Sequence, residues 1–260
     1  MTQLTYQLFS ASRINDRGLE KPNEDYFMVD RERNFFMLLD GITRVHQEYA
    51  DAPGHSAACD VNQIFSEAAF AYFAENAGSA DPNTLLRSAA LAGNAALLYY
   101  RQQKPQEQWQ FFPGTLGILA MLQKNRLYYA YTGDCMCTLL RQDSKLHFCQ
   151  QGANQALEQL KVSKADRYEI YCNHPEHPLS YGIFNGDENV NQLLEQGSLE
   201  LQRGDVLFLS TDGLSSYMRF TKADTLRNQT PEEILDASGI YDKPPFAAYA
   251  DDKTLLKLVF

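Results

Sequence analysis

The stretch NEDYFMVDRERNFFMLLDGITR, Asn23 to Arg44, sets two apolar runs between clusters of acid. Tyr26 to Val29 and Phe35 to Leu39 are short, rich in aromatic and branched residues, and stopped by polar residues or glycine, the length and punctuation of strands. Glu24 and Asp25 lead into the first run, and Asp40-Gly41 ends the second. A single Asp-Gly pair needs no more than turn chemistry, since Asp tolerates bent backbone and Gly takes positive φ. The same design recurs, however, in YYAYTGD at Asp134, VLFLSTDG at Asp212 and AYADDKT at Asp251-Asp252. Carboxylates gathered at one sheet edge repel and raise one another's pKa unless cations neutralise them. Oxygen donors without a His pair or a thiolate cluster select Mg²⁺ or Mn²⁺ over Zn²⁺.

Around this stretch the chain begins as sheet, with a first strand read at Leu4 to Phe9. It then turns to Ala- and Leu-rich segments over Gly54 to Ala77 and Asn83 to Tyr100, where apolar positions such as Val61, Ile64, Phe65, Ala68 and Ala69 recur at helical spacing. Asp81-Pro82-Asn83-Thr84 reads as the turn and cap between two long helices. Strands return at Thr115 to Leu122, Leu127 to Thr132, Cys135 to Leu140 and Lys145 to Cys149, and the tight breaks between them predict an antiparallel meander. Gly152 to Lys164 reads as a helix, and Arg167 to Glu195 shows no period. Ser198 to Leu201, Val206 to Ser210 and Thr254 to Val259 read as strands, around helical segments near Leu214 to Tyr217 and Glu232 to Ala237. Strands, two long helices and more strands favour an α+β fold over alternating βαβ units.

No Pro-, Gly- or Ser-rich linker divides the 260 residues, so one domain over 1–260 is expected. A composition of 44% hydrophobic residues with 15 Tyr and 15 Phe supplies an ample core. The net charge of −10 argues against a nucleic-acid ligand, which needs clustered Lys and Arg. Five cysteines without a CxxC pair suggest neither a disulfide framework nor a zinc ribbon. Cys135 and Cys137 alternate with Met136 on a predicted strand and read as packing residues rather than nucleophiles. The N-terminal residues lack the pattern of a signal peptide and no apolar run approaches ~20 residues, so a cytoplasmic protein without a membrane span is expected.

Five blocks, NDRGLEKPNEDYF (Asn15 to Phe27), FFMLLDGI (Phe35 to Ile42), GTLGILAML with RLYYAYTGDCMCTLL (Gly114 to Leu140), GDVLFLSTDGL (Gly204 to Leu214) and ADDKTLLKLVF (Ala250 to Phe260), span nearly the whole chain. In this order and at these spacings they resemble the bacterial members of the metal-dependent type 2C (PPM) Ser/Thr protein phosphatase family. The resemblance implies a β-sandwich of two antiparallel sheets flanked by helices on both sides, in α/β/β/α layers, with a two-metal site at one edge. Asp40 matches the aspartate that bridges both metals, Gly41 the residue that lends a carbonyl, Asp212 and Asp251 the ligands of one metal. Glu24 and Asp25 match the acidic pair that holds metal-bound water. Asp134 falls in the family's Gly-Asp turn and is read as structural; Asp252 stands where Asn is common. Two Mn²⁺ or Mg²⁺ ions would activate a water for in-line attack on phosphorus.

The chain departs from the pattern in places. The family's phosphate-gripping Arg falls at Glu20, which leaves Lys21 as the nearest substitute, with Arg13, Arg17 and Arg44 as others. Ser215-Ser216 and Phe111-Phe112 stand where acids of a third metal position are expected, so two ions are expected and not three. His46 and His55, in the segment after Asp40, are within reach as general acids, whereas His174 and His177 read as loop residues. The resemblance implies a phosphoserine/phosphothreonine phosphatase acting on a phosphorylated protein, with a cognate Ser/Thr kinase as further partner and a monomeric state. A pseudophosphatase that binds such a partner without turnover is the alternative, and a hydrolase of a small phosphorylated molecule a third reading.

Overall fold

All five residues of Phe35 to Leu39 are fully buried, which a strand covered on one face only does not allow. The computed structural model describes residues 4–14, 22–42, 56–78, 81–104, 112–163, 166–243 and 251–260. In it strand β3 (Phe35–Ile42) lies between β2 (Asp25–Asp30) and β4 (Gly114–Gln123), with β5 (Arg126–Thr132) and β8 (Glu195–Glu200) completing a five-stranded antiparallel sheet, β2-β3-β4-β5-β8. A second antiparallel sheet runs β1-β10-β9-β6-β7, built from β1 (Gln7–Arg13), β6 (Met136–Arg141), β7 (Ser144–Phe148), β9 (Val206–Ser210) and β10 (Lys253–Val259).

Alternation along β3 explains its full burial. Phe35, Met37 and Leu39 pack with Phe65, Leu86 and Leu97 of two long helices, α1 (Ala57–Asn76) and α2 (Pro82–Gln102). Phe36 and Leu38 point the other way, into a core shared with Cys137, Leu207, Leu209, Leu256 and Leu258 of the second sheet. The outer face of that sheet, through Met136, Leu140, Phe208 and Leu255, carries the short helices α5 (Ser215–Phe220), α6 (Ala223–Asn228) and α7 (Pro231–Ser238). Helix, sheet, sheet and helix therefore form the α/β/β/α layers. The helix starts follow local chemistry: Asp81 accepts from the Asn83 and Thr84 amides, and Thr230 with Glu233 forms a capping box on α7. The five cysteines are free, four of them buried. Among the described residues no helix is long and apolar enough to cross a membrane.

The expected meander is corrected. Hairpins join β4 to β5 and β6 to β7, but β5 pairs with β8 and β6 pairs with β9, so the chain leaves one sheet and enters the other at Gly133-Asp134-Cys135. Crossing there sends Tyr131, Cys135, Cys137 and Leu139 into the same inter-sheet core, whereas a continued meander would leave one of those faces wet. The first strand also lies later than its apolar residues indicate. Gln7 to Arg13 is largely exposed, and its place is set by backbone pairing with β10, from Gln7 opposite Val259 to Arg13 opposite Lys253. The aperiodic segment 166–194 holds a π-helical turn (Arg167–Tyr171) and one short helix, α4 (Val190–Leu193); Phe184 bridges to Thr115 at the start of β4. The helix read over Gly152 to Lys164 is shorter, α3 (Ala153–Gln159).

Candidate metal centre

The antiparallel register of β2 and β3 sets Asp25 directly opposite Asp40. In the second sheet β9 and β10 are neighbours, with Ser210 opposite Leu255, so the turn that opens at Asp212 after β9 lies beside Asp251 and Asp252, which precede β10. The crossover between sheets brings Asp134 to the same end of the sandwich. One carboxylate oxygen from each of Asp40, Asp134 and Asp212 lies within 4.8 Å of the other two.

Hydrogen bonds across the sandwich hold this end together. Thr211 Oγ1 donates to Asp25 Oδ2 at 2.8 Å while accepting from the Thr254 amide at 2.9 Å. The Glu24 amide donates to Asp252 Oδ2 at 2.8 Å, and the Asp252 amide to Asp251 Oδ1 at 2.9 Å. The buried Glu24 carbonyl accepts from the Gly41 amide at 2.9 Å and from Asn62 Nδ2 of α1 at 2.7 Å. Thr115 Oγ1 donates to the Asp40 carbonyl at 3.1 Å. Gly41 allows the close approach: a Cβ there would lie 2.5 Å from the Glu24 carbonyl oxygen and 2.9 Å from the Ala58 side chain.

Burial, opposed by the Thr211 hydrogen bond and reinforced by Asp252 and Asp251, pushes the Asp25 carboxyl up to about 8. Asp40 is held well above the carboxylate range by burial and then by Asp212, Asp25, Asp251 and Asp134. Burial, Asp134, Asp251 and Asp25 do the same to Asp212. The charges acting most strongly on Asp40 and Asp212 are thus other carboxylates. A set of partly buried hard oxygen donors whose mutual repulsion calls for positive charge fits a divalent cation of the Mg²⁺ or Mn²⁺ kind. Burial and the same carboxylates push the Cys135 thiol well up, which leaves it a poor nucleophile.

Asp25, Asp40, Asp212 and Asp251 lie close enough to act on one another's charge, with Glu24 and Gly41 in the backbone that frames them. Asp134 joins the cluster, and its reading as a plain hairpin turn is corrected: the turn is the sheet-to-sheet crossover, and it delivers a carboxylate to Asp40 and Asp212. The recurrence of Asp after an apolar run was the available signal. The expectation of two ions rather than three did not include this carboxylate. Lys21 lies outside the described residues, as do Arg17, Arg44, His46 and His55. Arg13 pairs with Asp236 of α7 at 2.6 Å. His147 bonds Thr138 across β6 and β7, and His177 packs edge-on to Tyr171, both as structural side chains.

Sandwich, layer order and the acidic end together define the class: the fold is that of the bacterial PPM-type serine/threonine phosphatases. The Mycobacterium tuberculosis serine/threonine phosphatase PstP/Ppp superposes with a TM-score of 0.68 at 20% identity, covering 99% of this chain and 99% of that one. The catalytic domain of PstP in complex with two manganese ions gives 0.65 at 20% identity over 98% of this chain and 100% of that one. Stp1 from Staphylococcus aureus gives 0.66 at 16% identity over 100% and 96%. No family model and no curated protein matches the chain by sequence.

Proposed function

We propose that the chain is a divalent-cation-dependent phosphomonoester hydrolase acting on phosphoserine or phosphothreonine in proteins. The observation that carries this reading is the partly buried cluster of Asp40, Asp134 and Asp212 at the end of the sandwich, with Asp25 opposite Asp40. Similar structures are serine/threonine phosphatases, one with two manganese ions, which supports the same reading. In this reading Asp40, Asp134, Asp212 and Asp251, with the Gly41 carbonyl, hold Mn²⁺ or Mg²⁺. Such ions, when bound, acidify water and offset charge on the phosphoryl oxygens.

The chain's own residues do the rest. Thr211 holds Asp25 beside Asp40, so that Asp25 and Glu24 orient water at the site. The ties across the two sheets fix the carboxylates before substrate arrives, which spares reorganisation during the reaction. Lys21 supplies a point charge for phosphate, without the bidentate fork of an arginine. The reading extends to a single domain over 1–260, a monomer in the cytoplasm, and a cognate Ser/Thr kinase as the source of its substrate. Binding without turnover is not favoured, because the carboxylate set is present.

The test is hydrolysis of p-nitrophenyl phosphate and of a phosphothreonine peptide with Mn²⁺, Mg²⁺ or EDTA. Turnover is expected with metal and not with EDTA. Asp40→Asn is expected to lower it at least ~100-fold, the scale of losing one preorganised electrostatic partner of the transition state. Mn²⁺ binding without turnover would return the pseudophosphatase reading.

A further inference from the structure

The crossover that carries Asp134 is held by two residues far from it in sequence. Gln150 and Gln151 lie in the connection between β7 and α3. The Gln151 amide donates to the Gly133 carbonyl at 2.6 Å, and the Gln151 side-chain oxygen accepts from the Gly133 amide at 2.9 Å. That same oxygen accepts from the Gly182 amide at 3.0 Å, while Nε2 donates to the Leu193 carbonyl at 2.7 Å and to Glu195 Oε1 at 3.2 Å. Two bonds accepted and two donated fill the capacity of a carboxamide. They also fix its orientation, since a flipped amide would set donor against donor and acceptor against acceptor. Gln151 is 8% exposed, so water does not take over these bonds.

Gln150 grips the next residue. Its Nε2 donates to the Asp134 carbonyl at 3.1 Å, and its Oε1 accepts from the Arg219 guanidinium. Arg219 belongs to α5, the helix that directly follows the Asp212 turn. Gly133 has φ of +75°, and a Cβ there would lie 2.6 Å from the Leu116 side chain, so the crossover is a tight left-handed turn with little room to move. The dipeptide thus reaches three places: the backbone on both sides of the Gly133-Asp134 peptide, the helix after Asp212, and the segment 166–194 with the start of β8. Side chains serving only packing would not make hydrogen bonds to all three.

We propose that Gln150 and Gln151 form a positioning clamp that holds the Asp134 carboxylate toward Asp40 and Asp212 and ties its placement to the segment 166–194. The inference rests on the reading of Asp134 as a cation ligand made above. It assigns the pair no contact with substrate; both residues act through Asp134.

Calorimetric titration of the full chain with Mn²⁺, paired with the melting temperature in EDTA, separates positioning from mere folding. The variants are Asp134→Asn, Gln150→Ala and Gln151→Leu. Asp134→Asn is expected to weaken Mn²⁺ binding. Gln150→Ala is expected to melt like the native protein in EDTA and still bind Mn²⁺ about 10-fold more weakly, the lower end of what outer partners of metal ligands contribute. Gln151→Leu is expected to show at least the same loss if it folds; should it not fold, Gln150→Ala decides. Native Mn²⁺ affinity in Gln150→Ala, or in a folded Gln151→Leu, beside a weakened Asp134→Asn overturns the clamp. Native affinity in Asp134→Asn itself overturns the ligand reading beneath it.

Discussion

Asp25 carries the residue-scale consequence of gathering acids in a dry place. Its ordinary pKa of 3.8 rises to about 8 in the metal-free fold, chiefly through burial. Below about pH 4 the folded and unfolded chains both hold this proton. Between about pH 4 and 8 the unfolded chain has released it and the folded chain has not, so stability falls as pH rises across that window. Melting temperatures in EDTA at pH 5, 6, 7 and 8 should therefore decline, and Asp25→Asn should decline less. Saturating Mn²⁺ should flatten the native curve, because a cation displaces protons from the site and replaces them with a stronger attraction. A native curve that rises over the window, or that matches Asp25→Asn throughout, would contradict this account. Much of the site is legible at this scale, since an Asp that ends an apolar run recurs at 40, 134, 212 and 251. Asp134 reads locally as a plain turn, because a Gly-Asp break between two strands has a sufficient local explanation and nothing local separates a hairpin from a crossover.

At the scale of elements, β3 is the strand on which the others depend. One of its faces meets α1 and α2, the other meets the second sheet, and its end carries Asp40-Gly41. Gly41→Ala places a methyl 2.5 Å from the Glu24 carbonyl, with Ala58 and Asn62 close behind. The end of β3 must then move away from Glu24 or from α1. A loss of about 1–3 kcal/mol in urea denaturation is expected, the usual cost of an extra methyl in a filled site. Weaker Mn²⁺ binding should accompany it, since Asp40 moves with Gly41. A variant with native stability and native Mn²⁺ affinity would mean that the close packing at Gly41 places nothing. Strands with strong alternation or full burial were legible in the sequence. β1 was less so, because its residues are mostly exposed and only the backbone ladder to β10 sets its register.

For the molecule as a whole, the core between the sheets draws Phe36, Leu38, Ile118 and Ala120 from one and Cys137, Leu139, Leu207, Leu209, Leu256 and Leu258 from the other. Neither sheet retains a dry inner face without its partner. Metal-free protein is accordingly expected to unfold in one calorimetric transition, with equal calorimetric and van't Hoff enthalpies. Two separated transitions would mean that the sheets fold as distinct units and would end the single-domain proposal. Leu38→Ala, fully buried in this shared core, should lower the single transition by about 2–5 kcal/mol without splitting it.

By itself the sequence determined the elements and the chemistry they carry. Apolar period and turn residues are local quantities, so the strands from Phe35 to Leu39 and from Val206 to Ser210, the two long helices, and the acids that end the strands can be read residue by residue. Tertiary structure alone decided which strands share a sheet, that the chain changes sheets at Gly133-Asp134, and that Gln150 and Gln151 hold that crossing. Those outcomes depend on burying both faces of two sheets at once, and on backbone groups at Gly133, Gly182 and Leu193 finding partners once water is gone. Such conditions couple residues that are distant along the chain, and no local pattern records them.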